Sequence, residues 1–238
     1  MKIENKNKCK EVTKILCKKN KDWNKKKSDP LDILIATILS QNTNDKLSMV
    51  AFEALKETFK DWNQLKNVSR KKIANIIKSA GLSNQKSDTI KNLINYLIKK
   101  NGVATLSYLT QMSDEEIFIE LKQLKGIGIK TISCLLLFGL KRNSFPVDTH
   151  IHRISNRLGL VHTKNANETF FEMKDLVPKG KEYSLHVELI RHGRDICRPS
   201  KPECYLCRLV DLCDYEEKNW TKKIKLNTKE NIFILNQI

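Results

Sequence analysis

Apolar residues return at three- and four-residue intervals along most of this chain and nowhere alternate with polar ones over a useful length. That period predicts an all-α fold. In SDPLDILIATILS, Asp29 stands as an N-cap and Pro30 at the first helical position of a buried helix. Further helices are expected after Asn44 to about Phe59, from Ser69 to near Gly81, and from Asn84 to Lys100. In the last of these Ile90, Leu93, Ile94 and Leu97 keep helical spacing, and Gly102 ends the run. Ser113 and Glu116 form a capping box for a helix that reaches Lys125, and another runs through Phe138. Beyond Pro146 the pattern gives helices at 149–158, 164–177 and 182–193. Val12, Ile15 and Leu16 form a stripe suited to packing on a domain, and the final NIFILNQI suits a short strand or a docking tail.

Composition narrows the class. With 238 residues, 40% of them hydrophobic, the chain has material for one large core or two small ones. No apolar run approaches the roughly 18 residues of a membrane span. Residues 1–27 hold eleven lysines with no apolar stretch behind them, so no signal peptide is expected and the protein is expected inside the cell. Forty-four basic against 27 acidic side chains give a net +17, which attracts polyanions. A well-solvated lysine-rich surface explains that charge equally well on its own. A basic amphipathic anchor for a membrane surface is not evident, which leaves nucleic acid as the expected partner, bound with a steep salt dependence.

Residues 124–131, LKGIGIKT, interrupt the most hydrophobic part of the chain with two glycines and a charge. The first glycine accepts the positive φ that ends a helix, and the second leaves the backbone bare at the start of the next. Unpaired N–H groups there form a phosphate site that is indifferent to base sequence. A glycine C-cap between two packed helices accounts for the pair as readily. Lys130 is either a clamp on the DNA backbone or a nucleophile, and the turn alone leaves both open.

Seven cysteines are unevenly placed. Cys9, Cys17 and Cys134 lie singly in helical patterns and read as buried thiols. Cys197, Cys204, Cys207 and Cys213 give C-x6-C-x2-C-x5-C, a cluster expected to bind metal rather than form disulfides inside a cell. Four thiolates suit zinc and an iron–sulfur cluster alike. His150 and His152, two apart on a helix, point to different faces and are not expected to share an ion. His186 and His192 read as structural.

LKGIGIKT, followed eighteen residues beyond Lys130 by Asp148 in FPVDTHIHRISNRL, resembles the endonuclease III family of the helix-hairpin-helix, Gly/Pro-Asp superfamily of DNA glycosylases. Val147, Asp148, Thr149 and His150 match its V-D-T-H, and Arg153, Asn156 and Arg157 match in type. LSQNTND (39–45) resembles the family's helix and loop that enter the DNA, GLSNQK (81–86) a second contact loop, and HGR (192–194) precedes the cysteines as it does there. The resemblance spans about residues 30–214. Two departures stand out: Lys125 replaces a proline, and Asn42, beside Gln41, falls where the family's glutamine stands.

The resemblance implies an all-α, two-domain helix-hairpin-helix glycosylase fold. A six-helix domain would occupy 29–144, and 1–28 with 145–238 would form a domain from both termini with a 4Fe–4S cluster loop held by Cys197, Cys204, Cys207 and Cys213. It implies a bifunctional DNA glycosylase and abasic-site lyase that removes oxidised pyrimidines of the thymine glycol type and nicks by β-elimination. Lys130 would be the nucleophile, and Asp148 would favour positive charge on the sugar. Gln41, Asn42, Thr43, Leu82, Lys125, Gly126, Ile127, Gly128, Thr131, His150 and Arg153 would contact DNA. The partner would be double-stranded DNA with damaged bases or abasic sites, met by a monomer, associated with DNA and not with a membrane. A mismatch-specific thymine or uracil glycosylase of the superfamily is the nearest alternative, although such enzymes often lack the lysine. A non-catalytic DNA-binding protein would need neither Lys130 nor Asp148. An RNA-binding zinc protein lacks the aromatic platform single strands stack on.

Overall fold

The computed structural model describes residues 2–17 and 28–221, and every regular element among them is helical. In chain order the α-helices are α1 (Lys2–Leu16), α2 (Pro30–Ser40), α3 (Asp45–Thr58), α4 (Arg70–Ile76), α5 (Ser83–Asn101), α6 (Asp114–Lys122), α7 (Ile129–Cys134), α8 (Thr149–Arg157), α9 (Ala166–Met173) and α10 (Glu182–Asp195). No helix among the described residues is long and apolar enough to cross a membrane. The terminal NIFILNQI lies outside the described residues.

The described residues fall into two compact units, 28–142 and 2–17 with 143–221. In the first, α2 is apolar on all sides and sits inside the core. Leu31 and every residue from Ile33 to Leu39 are buried. Asp29 starts this helix as read from the sequence, its carboxylate accepting from the Leu31 N–H at 2.8 Å beside Pro30. Around α2 pack Leu55, Leu65, Ile73, Ile77, Ile90, Leu93, Leu97, Leu121, Ile132 and Leu135, one continuous cluster. Each such side chain contributes about 1.5–3 kcal/mol through burial. Glu120, buried in this unit, accepts from the hydroxyls of Tyr96 and Tyr108 and from Lys100 Nζ, so its charge is paired and hydrogen-bonded.

Several boundaries differ from the sequence expectation. α4 ends at Ile76, and a 3₁₀ turn at Lys78–Ala80 stands where a continuous helix to near Gly81 is expected. α6 stops at Lys122 rather than Lys125, because the Leu124 N–H turns back to the Leu121 carbonyl and the Ile127 N–H to that of Leu124, tightening the chain before the glycines. The helix expected through Phe138 keeps α geometry only to Cys134, then widens into a π-turn at Leu135–Gly139. Gly139 lies against Pro30: a methyl group added there would meet Leu135 Cδ1 at 2.9 Å and Pro30 Cα at 3.3 Å. The extra residue in the turn fits the apolar run around that contact.

In the second unit, α1 buries Val12 and Leu16 and is tied to residues far along the chain. Asn5 Nδ2 donates to the Leu160 carbonyl at 3.1 Å, and Lys8 pairs with Asp214 at 2.8 Å. α9 is shorter than expected, running from the Asn165 cap to Met173, whose carbonyl receives the Leu176 and Val177 N–H groups in a closing turn. α8 and α10 pass very close: a methyl group on Gly193 would lie 2.8 Å from His150 Cβ. That contact explains the glycine of HGR.

Candidate functional site

In the unit 28–142, three segments expected at DNA are joined by named side chains. The first leaves α2. Gln41 closes that helix with its backbone N–H, and its side-chain Nε2 donates at 3.1 Å to both the Gly126 carbonyl and Thr131 Oγ1. Asn42 follows with φ +50° and is exposed, Thr43 is half-buried, and Asn44 caps α3 by accepting from Leu47 N–H at 2.9 Å.

The second segment is the glycine turn. Lys125 and Gly126 are exposed, and Gly126 has φ +90°, where glycine alone is unstrained. Gly126 is also pressed on α5, because an added methyl would meet Thr89 Oγ1 at 2.2 Å. Ile127 points inward, 3% exposed, and pins the turn to the core. Gly128 differs from its neighbour: it is extended (φ −102°, ψ −178°), exposed, and has open space where a side chain would stand. No side chain caps α7, whose second residue is the half-buried Lys130. The backbone here is bare and its first amides lack an intrahelical partner. Thr131 is buried, and its hydroxyl oxygen accepts from Gln41 Nε2.

The third segment is the turn before α5. Leu82 is in the left-handed region (φ +47°) with its side chain 51% exposed. Lys86, four residues on, is 2% exposed and donates to the Leu39 carbonyl at 2.7 Å and the Ala80 carbonyl at 2.8 Å. Ser79 Oγ adds a bond to the Leu47 carbonyl at 3.3 Å. The sequence expectation includes Lys86 only as the end of the contact loop 81–86, yet the pattern carries a signal for a buried role. Residues 86, 90, 93 and 97 follow one helical stripe, so this lysine occupies an apolar position.

In the unit 2–17 with 143–221, Asp148 is the N-cap of α8 and accepts from Ile151 N–H at 2.9 Å. His150 Nδ1 faces Arg153 Nη2 at 3.2 Å. Burial lowers the His150 pKa; Asp148 opposes that shift, and Arg153 and Arg194 add to it. His152 goes elsewhere, to Thr169 Oγ1 at 2.7 Å, so the two imidazoles share no partner. Arg153 is engaged with its own protein: Nε and Nη2 donate to the Cys197 carbonyl at 3.1 and 2.8 Å, and Nη2 also to the Gly193 carbonyl at 3.0 Å. Its guanidinium fastens α8 to the start of the cysteine loop. His186 is buried with Nδ1 2.9 Å from the Pro146 carbonyl.

Cys197, Cys204, Cys207 and Cys213 line one cavity of about 20 Å³, with Arg157, Ile196, Pro202 and Tyr215. None is in a disulfide. Arg157 donates to Cys197 Sγ at 3.4 Å and to the Arg198 and Pro199 carbonyls, and stacks on Tyr215 with 4.1 Å to the ring centre. Burial pushes the Cys207 thiol up to about 11, and the other three cysteines add to the shift. Among the described residues no three His, Cys, Asp or Glu side chains converge tightly enough to hold one ion. The thiols surround a space and do not meet at a point.

Residues 35–179 match the family model described as HhH-GPD superfamily base excision DNA repair protein. An Arabidopsis thaliana protein that carries the name of a DNA glycosylase is 41% identical over 172 residues, covering 72% of this chain; the chain spans 58% of that relative's length. Endonuclease III of Thermotoga maritima is 32% identical over 206 residues, 87% of this chain and 92% of the relative. The solved structure of a trapped endonuclease III–DNA covalent intermediate superposes with a TM-score of 0.74 at 25% identity, covering 87% of this chain and 95% of that one. On these likenesses the chain belongs to the HhH-GPD superfamily of base excision DNA repair proteins, and within it to the endonuclease III type.

Proposed function

We propose that this chain is a bifunctional DNA glycosylase and abasic-site lyase that removes oxidised pyrimidines from duplex DNA. The observation that carries the reading is the position of Lys130. Its amine stands on the second residue of α7, directly past a turn whose Gly128 leaves room for a phosphate and whose helix start has no side-chain cap. The relatives named endonuclease III support the substrate class.

To reach C1′ of one nucleotide the enzyme extrudes it from the stack, at a cost of about a few kcal/mol that is smaller for damaged or mispaired bases. The neutral Lys130 amine bonds to C1′ as the glycosidic bond breaks, and the base leaves with that electron pair and takes a proton from solvent. Asp148, by the resemblance of its V-D-T-H segment, is assigned to favour the positive charge that develops on the sugar. The attached nitrogen then passes one of its two protons to O4′ as the C1′–O4′ bond opens, which leaves an iminium on C1′. Loss of a proton from C2′ then expels the 3′ phosphate, so one lysine both excises and nicks.

The four cysteines hold a 4Fe–4S cluster in this proposal. Four thiols lining one cavity are a donor set that suits zinc and an iron–sulfur cluster alike, and the C-x6-C-x2-C-x5-C spacing, which resembles the endonuclease III cluster loop, favours the cluster. The group supplies a cross-link that orders residues 197–213, and the chain's own residues carry out the bond cleavage. Arg153 and Arg157 brace the loop from α8.

Borohydride trapping on a duplex containing thymine glycol tests the central step. A covalent adduct is expected with the native chain and none with Lys130→Gln; an adduct that persists in the variant removes lysine from the nucleophile role. Cleavage assays with dihydrouracil, abasic, U·G and T·G duplexes define the substrate, and activity confined to the mispairs replaces this reading with a mismatch glycosylase. A visible absorption spectrum of the purified protein separates the coloured cluster from colourless zinc.

A further inference from the structure

Both loops proposed to meet DNA in the unit 28–142 begin where a helix has just ended. The loop holding Gln41, Asn42 and Thr43 follows α2, and the turn holding Leu82 follows the 3₁₀ turn Lys78–Ala80. Helix ends leave carbonyls without intrahelical partners, and their dipoles attract a cation. A single buried ammonium, Lys86 Nζ, takes one carbonyl from each end: Leu39 at 2.7 Å and Ala80 at 2.8 Å, positions separated by 41 residues (80 − 39). The Ser79 hydroxyl joins the same two regions a second time through the Leu47 carbonyl. Nothing in core packing calls for an ammonium here, since a leucine or methionine would fill the same stripe of α5 without being desolvated.

We propose that Lys86 is a positioning residue that locks the 40–44 and 81–83 loops to each other, so that a distorted duplex meets them as one rigid edge. The clamp accounts for two exposed residues held in left-handed backbone, Asn42 at φ +50° and Leu82 at φ +47°. Strain of that kind persists only where the surroundings hold it. Gln41 continues the chain of ties to the glycine turn, so the three segments share one frame. Burial lowers the Lys86 ammonium to about 8, a cost opposed by the two carbonyl bonds that favour its charged form.

The inference rests on the proposed DNA-binding role of these loops, and its test separates the two. The full-length chain is compared with Lys86→Met and with Lys86→Gln, which keeps a shorter, uncharged donor. The readouts are amide hydrogen exchange at 40–44 and 80–83 and affinity for two duplexes, one with a tetrahydrofuran abasic-site analogue and one undamaged. Exchange is expected to speed up at both loops together. Binding to the abasic-site analogue is expected to weaken by about tenfold, and binding to undamaged DNA by less than about threefold, since the glycine turn that holds phosphate is intact. Lys86→Gln should fall between Met and native. Faster exchange at one loop only, or equal weakening on both duplexes, overturns the clamp. A native chain that does not prefer the abasic-site analogue overturns the DNA-binding role of the loops, while the exchange data still decide the clamp.

Discussion

Gln41 and Gly126 are 85 residues apart in the chain and joined by one hydrogen bond, Nε2 to carbonyl at 3.1 Å, with a second from the same amide to Thr131 Oγ1. The amide therefore holds the turn from both sides of its second helix start. Gln41→Ala removes both bonds at a half-buried site. A loss of about 1–2 kcal/mol in unfolding free energy is expected. Binding to duplex DNA should weaken by more than that loss of stability explains, because the loop is released from the turn. Paired denaturation and binding titrations check this, and unchanged binding would count against the shared frame.

Asp148 has a cap to make as well as a proposed chemical role, and two substitutions separate them. Asparagine still caps a helix well, so Asp148→Asn should change stability by only a few tenths of a kcal/mol while base excision falls by orders of magnitude. Asp148→Ala loses the bond to Ile151 N–H and should cost about 1 kcal/mol on top of the same loss of activity. Thermal melts with single-turnover excision assays distinguish the two effects.

The two glycines of the turn should respond in opposite ways. Gly126→Ala forces φ +90° on an L-residue and drives a methyl onto Thr89, so a destabilisation of about 2–4 kcal/mol is expected. Thr89→Ala should restore only part of it, since the backbone strain stays. Gly128→Ala meets nothing and should melt like the native chain, yet bind DNA less tightly because its methyl occupies the space proposed for a phosphate. Equal affinity in that variant would place the phosphate elsewhere.

These glycines show what one chain of letters reveals. The caps at Asp29 and Ser113 are local devices, and each was readable from a few neighbouring residues. Lys86 was readable too, as a charge in step with an apolar stripe. The π-turn was not: it depends on Gly139 meeting Pro30, more than a hundred residues earlier, and helical periodicity cannot report such a contact. Arg153 was expected at DNA by its type, but the structure engages its guanidinium with the carbonyls of Gly193 and Cys197. Gln41 and Asn42 could not be told apart by spacing. In the fold the first is tied to the turn, and the second stands exposed.

Lys86 also sets an alkaline signature. Its folded pKa, about 8, lies below the ordinary 10.5, so between those values the unfolded chain holds a proton that the folded chain has released. Stability therefore rises with pH across that window, and the burial penalty is fully present below it. Relative to Lys86→Met, the native chain should gain about 1–3 kcal/mol between about pH 7 and about pH 10. Urea unfolding of both chains at the two pH values measures the difference, and a flat difference would contradict the burial of this amine.

Three of the seven sulfurs are shut inside the two cores: Cys9 at 0% exposure, Cys17 at 9% and Cys134 at 1%, with Cys9 pushed up to about 12 by burial. A thiol that stays protonated and out of reach does not react with maleimides or disulfide reagents. Labelling of the native molecule thus reports on the C-terminal quartet alone. Uptake of four equivalents of dye after the bound group is stripped with a chelator and the thiols are reduced, against almost none beforehand, would count the sulfurs committed to that group without reference to DNA or to catalysis.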